Sequence, residues 1–388
     1  MAFEAGVAKV NITPAIGCRM AGYGSRKHGA VGIRDEIWAR ALYLTDGEVN
    51  FVLLGVETVG LRSPVVERVR QRVEEQTGIP GSHVFIAATH THSGPDVRSS
   101  DVDAVTANNV AVVEDKLVGA VTWAKSSATP ARILYHREQA QCGINRREWR
   151  DGRVVLGQDP DQPVYPWVDI LEVTDAQGKT MAVWFCHPCH AVVMGSSNYL
   201  ISGDFPGAAA RYIEEQTGGI AIFANGCAGN INSNPHGADF AAVDRLGDYL
   251  GAAVMKALLS SVDGQELTPK LASLQHAFTL PADSDSTGIA MKVHAASIGE
   301  VALIGLPAEV FIELGMSIQE QSPFGLTIPV GYANGYQGYV PTAQAFEEGG
   351  YEVGARVRDQ EIRITAAAPA VLVEESVKAL RSLKGNAP

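Results

Sequence analysis

The sequence has no apolar run long enough to span a bilayer; the run at residues 51–56 is strand-sized, so no stable membrane insertion is expected. It opens on Met1-Ala2-Phe3-Glu4-Ala5 and so lacks the basic stretch and apolar core of an export signal. Cysteine is sparse: five residues, an odd number, do not make a disulfide framework and fit a reducing compartment. A cytoplasmic protein is therefore expected. No basic patch is visible and the net charge is -12, which excludes nucleic acid as the expected partner. Internal repeats and low-complexity linkers are absent as well. With 46% hydrophobic and 19% charged residues, the composition is that of a globular chain. The 388 residues are expected to form a single domain, 1–388.

What is present is a dense alternation of strand-like and helix-like segments. Residues 5–13, 37–44, 50–58, 84–88, 131–136, 168–173, 180–185 and 220–223 read as strands. The later segments 270–280, 291–298, 300–306 and 326–332 do so too. Helices are expected over 63–76, 103–124, 205–216, 239–259, 308–319 and 367–383. Hairpins and crossovers are both present. This mixture predicts an α/β (α+β) fold with a mixed β-sheet core flanked by helices. The glycine-rich segment 17–32 is a loop that could wrap a site.

The chemistry concentrates after strand 84–88, where Thr89-His90-Thr91-His92-Ser93-Gly94-Pro95 follows. Alternation along a strand would put His90 and His92 on one face, and imidazole serves both as a zinc ligand and as an acid or base near neutral pH. A second cluster is Cys186-His187-Pro188-Cys189-His190. Its Cys-x-x-Cys-His spelling matches covalent haem attachment, but that attachment belongs outside a reducing compartment, and no thioredoxin-like unit supports a redox pair. The favoured reading makes His190, or secondarily His187, a third imidazole at the first site. A carboxylate would complete the set, with Glu309 the best placed, although an acid in the first turn of a helix also complements the helix dipole. Asp204, ahead of its own helix, has the same two readings.

Together these segments resemble the catalytic N-terminal portion of the neutral/alkaline non-lysosomal ceramidases. The resemblance rests on Gly6-Val7-Ala8-Lys9-Val10 with Thr13-Pro14, Gly32-Ile33 with Trp38-Ala39-Arg40-Ala41, and the 89–95 stretch. It continues through Asn145-Arg146, His190 with Leu200-Ile201-Ser202-Gly203-Asp204, Ala228-Gly229-Asn230-Ile231, Leu306-Pro307-Ala308-Glu309, and Tyr336-x-x-Tyr339 with Tyr351. The resemblance implies one Zn2+ per chain held by His90, His190, Glu309 and Tyr339. It implies His92 as acid/base or orienting group, Arg146 polarising the scissile carbonyl, and Tyr351 lining the centre. The family's reaction is hydrolysis of the ceramide amide bond.

Two departures matter. Asn232 stands where the family has a serine, and Ser233 is one residue late, which argues against a serine nucleophile and brings Asn232 into the expected site. The immunoglobulin-like portion of the family is not recognisable in this chain. The expected function is therefore zinc-dependent hydrolysis of a carbon–nitrogen amide bond, with zinc-bound water as nucleophile, on a small soluble amide or lactam rather than ceramide. Asn230 and Asn232 would face the metal as hydrogen-bonding groups. Ester or lactone hydrolysis on the same site, or a non-catalytic zinc-stabilised ligand-binding protein, are the alternatives. A homo-oligomer is compatible with all three.

Overall fold

The computed structural model describes residues 2–97, 104–260, 264–283, 288–354 and 362–386. The expected helix start at Asp103 lies outside them. The large sheet has Ile220–Asn225 at one end and Val84–Ala88 at the other. Between them run, in order, Thr180–His187, Trp167–Asp175, Thr129–Gln139, Phe3–Asn11, Trp38–Thr45 and Asn50–Val56. Both end strands are parallel to their neighbours and the interior pairs are antiparallel, so the sheet is mixed as expected.

The sheet curls until its two ends meet. Gly55 is where they touch: a Cβ there would lie 2.7 Å from Ile222 Cγ2, a close approach open only to glycine. Alternation sorts the side chains. Phe3, Leu42, Leu44, Phe51, Leu53, Phe85 and Trp184 fill the concave side with Ile298, Leu303 and Ile328 of a second sheet. That second sheet runs Leu271–Leu280, Ile289–Ile298, Val301–Gly305, Leu326–Val330. Helices cover the outside. Ser63–Thr77 and Ala104–Ser126 pack on one part of the large sheet, Asp204–Thr217 and Phe240–Leu259 on another. Helices Ile312–Gln321 and Ala368–Asn386 cover the second sheet.

Two expectations change. Glu309 does not open a helix: Glu309–Val310 is a short strand, and the helix begins at Ile312. The hairpin Gly143–Arg150 and Arg153–Asp159, which carries Arg146, is not evident from the sequence because charged residues interrupt its alternation. Among the described residues no helix is long and apolar enough to cross a membrane.

Candidate metal centre

Curling of the sheet brings the ends of Val84–Ala88 and Thr180–His187 together. Asn225, the last residue of the end strand, joins them. Its side-chain oxygen accepts from Cys189 N at 3.1 Å, and its amide donates to Cys189 O at 2.9 Å and Thr89 O at 3.3 Å. One side chain thus fixes the backbone immediately before both His90 and His190. An asparagine at the end of a buried strand is the sequence signal for this role.

His90 and His92 do converge, though not by strand alternation. The strand ends at Ala88, and His90 has φ 65°, a left-handed conformation tolerated because His90 N is bonded to Thr58 O at 2.9 Å. The two Nε2 atoms lie 3.1 Å apart.

His90 and His190 are oriented alike. His90 Nδ1 donates to Val59 O at 2.6 Å, and His190 Nδ1 to Ala228 O at 2.7 Å. A carbonyl can only accept, so each ring carries its proton on Nδ1 and presents the Nε2 lone pair. Both lone pairs face Glu309 Oε2, at 3.3 Å from His90 and 3.0 Å from His190. Burial, with the Arg146 charge second, pushes the His190 imidazole down to about 4, so it stays neutral. Three acceptors converge on one buried point, and Nδ1-to-carbonyl bonding is how metal-ligating histidines are held. This donor set fits a divalent cation.

The ligand atoms of His90, His92 and His190 all lie within 4.8 Å of one another. His92 differs in that its Nδ1 is buried without a partner among the described residues, while its Nε2 faces the His90 Nε2 lone pair and therefore carries the proton. Burial, then the neighbouring His90 and His190 rings, pushes its pKa well below 6.5.

Arg146 closes the site. Nη1 donates to Asn232 Oδ1 at 3.1 Å and lies 3.3 Å from His190 Nε2. Nε donates to Glu352 at 2.8 Å, while Nη2 is buried with no hydrogen-bond partner among the described residues. Burial opposes its charge, but Tyr339 and Glu352 overcome this and raise its pKa above the usual range. Glu309 and Tyr339 are paired residue to residue in a parallel ladder, and the Tyr339 phenol interacts with the Arg146 guanidinium. Tyr351 is 57% exposed at the rim, with its ring 5.9 Å from Arg146 Cζ.

Other residues emerge only in three dimensions. Tyr336 hydroxyl donates to Glu309 Oε1, and Tyr332 stacks on His90 with ring centroids 3.9 Å apart. Glu352 is buried and bonds both Arg146 and Arg147. Asn230 turns away from the site: its oxygen accepts from Ile312 N at 2.9 Å, serving the helix start that lacks its own cap. The expectation that Asn230 faces the metal is thereby corrected. His187 is a core residue, bonded to Trp167 O and to Cys142 N. Burial raises the Cys186 and Cys189 thiols well above their ordinary pKa, leaving them protonated and unreactive.

Residues 3–249 match the family described as neutral/alkaline non-lysosomal ceramidase, N-terminal. The neutral ceramidase of Pseudomonas aeruginosa is 28% identical over 256 residues, which is 60% of this chain and 37% of that protein. The neutral ceramidase of Mycobacterium tuberculosis is 28% identical over 248 residues, 58% of this chain and 39% of that one. The match therefore spans about two fifths of these relatives' length. The fold is similar to that of a solved ceramidase complexed with C2, with TM-score 0.81 and 20% identity over 99% of this chain and 76% of that one. The neutral ceramidase structure from Pseudomonas aeruginosa gives TM-score 0.78 at 20% identity, over 99% of this chain and 75% of that one. With the family match covering well over half of its length, the chain belongs to the neutral/alkaline non-lysosomal ceramidase family.

Proposed function

We propose that this protein is a metal-dependent hydrolase that cleaves a carbon–nitrogen amide bond in a small soluble amide or lactam. The observation that carries the reading is the convergence of the His90 and His190 lone pairs on Glu309 Oε2, beside a guanidinium with a free, buried N–H. His90, His190 and Glu309 would hold a Zn2+, with Tyr339 as the fourth protein ligand. When bound, the metal supplies a Lewis acid that acidifies water and polarises a carbonyl.

The chain's own groups do the rest. Arg146 Nη2 donates to the carbonyl oxygen as negative charge develops there, a contribution of about 3 kcal/mol for one such donor. Asn232 and Glu352 hold the guanidinium in place for this. His92, neutral and with its Nδ1 unpartnered, relays a proton to the departing nitrogen. Tyr23, packed edge-on against His92 with ring centroids 5.0 Å apart, keeps that ring in position. The cavity beside His92 is about 400 Å³, a size that suits a small amide, and its lining mixes Arg146, Asn232, Gln158 and His236 with the apolar Ile144, Leu156 and Val192.

The test is turnover of short N-acyl amines, N-acyl amino acids, lactams, matched esters and ceramide by zinc-loaded protein. Hydrolysis of short amides, lost in His92→Ala, supports the reading. Activity confined to esters or lactones overturns the amide assignment, and inertness towards the whole panel leaves the ligand-binding alternative.

A further inference from the structure

The glycine-rich loop 17–29 does more than wall the site. One side of it, at Gly22, Tyr23 and Gly24, lines the cavity beside His92. Its other side encloses a second cavity of about 440 Å³, lined by those same three residues together with Arg19, Arg26, Lys27 and His28. In a chain of net charge -12, this loop carries three basic residues and no acidic one.

These charges are poorly compensated. Among the described residues the hydrogen bonds of Arg26 go to backbone carbonyls: Nε donates to Asn198 O at 3.1 Å and Nη1 to Ala21 O at 2.5 Å. Its Nη2 is shielded from solvent without a partner, an arrangement that ordinarily costs about 1–3 kcal/mol. Burial lowers the Arg26 pKa, and only the Tyr23 and Tyr199 phenols act against this. Lys27 forms no ion pair among the described residues. Among the described residues, the carboxylates that act on the loop's side chains are Asp96, 3.9 Å from Arg19, and Asp204, which acts on Tyr23 and is occupied with the backbone amides of Val193, Met194 and Phe205. Tyr23 stands between the two cavities. Its ring centroid is 5.0 Å from that of His92 and 5.0 Å from Arg26 Cζ, so the cationic bay begins one aromatic ring away from the reaction centre.

We propose that this bay is a carboxylate subsite, and that the preferred substrate is an amide bearing a free carboxylate a few bonds from the scissile bond, as an N-acyl amino acid does. This rests on the amide-hydrolase reading above. The scissile carbonyl lies against Arg146 and His92, the chain passes Tyr23, and the carboxylate meets Arg26 and Lys27. A substrate anion in the bay would complement the charges of Arg26 and the exposed Lys27.

The experiment compares N-acetyl-4-aminobutyrate with N-acetyl-butylamine, which differ mainly in the terminal carboxylate. Wild type is expected to favour the anionic amide at least 10-fold in kcat/KM, through KM. In Arg26→Gln/Lys27→Gln, and in part in the exposed Lys27→Gln alone, the ratio falls towards one. A wild-type ratio near one, or a ratio unchanged in both variants, overturns the subsite while leaving amide hydrolysis intact. If neither amide is cleaved, the amidase reading fails instead. Calorimetric binding of N-acetyl-4-aminobutyrate then decides the subsite: affinity lost in the variants supports it, and absent or unchanged affinity overturns it.

Discussion

Glu352 and Arg146 form a buried ion pair, Oε1 to Nε at 2.8 Å, and the other oxygen of the same carboxylate holds Arg147 at 2.8 Å. A single acid thus aims the guanidinium that borders the metal centre. Removing one partner of a buried pair costs about 3–5 kcal/mol, so Glu352→Ala is expected to be destabilised on that scale in urea melts. Glu352→Gln keeps the shape. It should retain metal while kcat falls about 100-fold, the order of loss that follows misplacement of a catalytic group by about 1 Å. Full kcat in Glu352→Gln would refute the positioning role.

Gly22 has φ +93°, and a Cβ there would lie 2.5 Å from His92 Cγ. Gly22→Ala should lose about 1–3 kcal/mol of stability from backbone strain alone, and more than 10-fold in turnover as the His92 ring is displaced. Gly24 is the control, since a Cβ at that position meets nothing within 4 Å. Parallel kinetics and melts of the two variants check the contrast.

Tyr336 supports the candidate metal centre through Glu309. Tyr336→Phe removes the hydroxyl that orients the carboxylate, and loss of such a partner typically weakens metal binding about 10–100-fold. Competition against a chelator measures this directly, and an unchanged affinity would contradict it.

Asp204 gives a pH signature. Burial raises its pKa from 3.8 to about 6, against three backbone N–H donors. A folded-state pKa above the unfolded value means the native state binds the extra proton, so stability falls as pH rises from about 4 to 6 and the penalty persists above. The full shift is worth at most about 3 kcal/mol. Asp204→Asn removes this titration, and Asn tolerates the φ of 55° at this position. Relative to wild type, the variant should gain up to about 3 kcal/mol between pH 4 and pH 7 in urea melts. A pH-independent difference would refute the assignment.

Much of the fold was legible in the sequence because strand and helix periodicities were strong where side chains are sorted between a core and solvent. Helices Ser63–Thr77 and Phe240–Leu259 follow their apolar stripes. The Gly143–Arg150 strand was illegible because its charges are satisfied by distant partners, notably Glu352 and Glu348, that no local pattern reveals. Pro307, a common first-turn residue, makes 308–319 read as a helix, but the chain pairs with Tyr339–Val340 before the helix begins. That pairing removes the helix-dipole explanation for Glu309 and sets it beside Tyr339.

The site was legible as residue types and less so as geometry. His90, His190, Glu309, Arg146 and Asn232 come together around one point. Tyr332 and Glu352 could not be singled out because their partners lie far away in sequence, Glu352 being 206 residues from Arg146. Asn230 and Asn232 are two residues apart, yet one serves a helix start and the other Arg146. Spacing alone does not separate those roles.

The most direct test of the central claim is metal content by elemental analysis, with amide hydrolysis measured on the same samples, for wild type and His90→Ala/His190→Ala purified without chelators. The account predicts about one zinc per wild-type chain and none in the variant, with hydrolysis lost alongside the metal. A metal-free wild type that still hydrolyses amides would contradict it, and would turn attention to Ser233, whose buried hydroxyl has no partner beside His92.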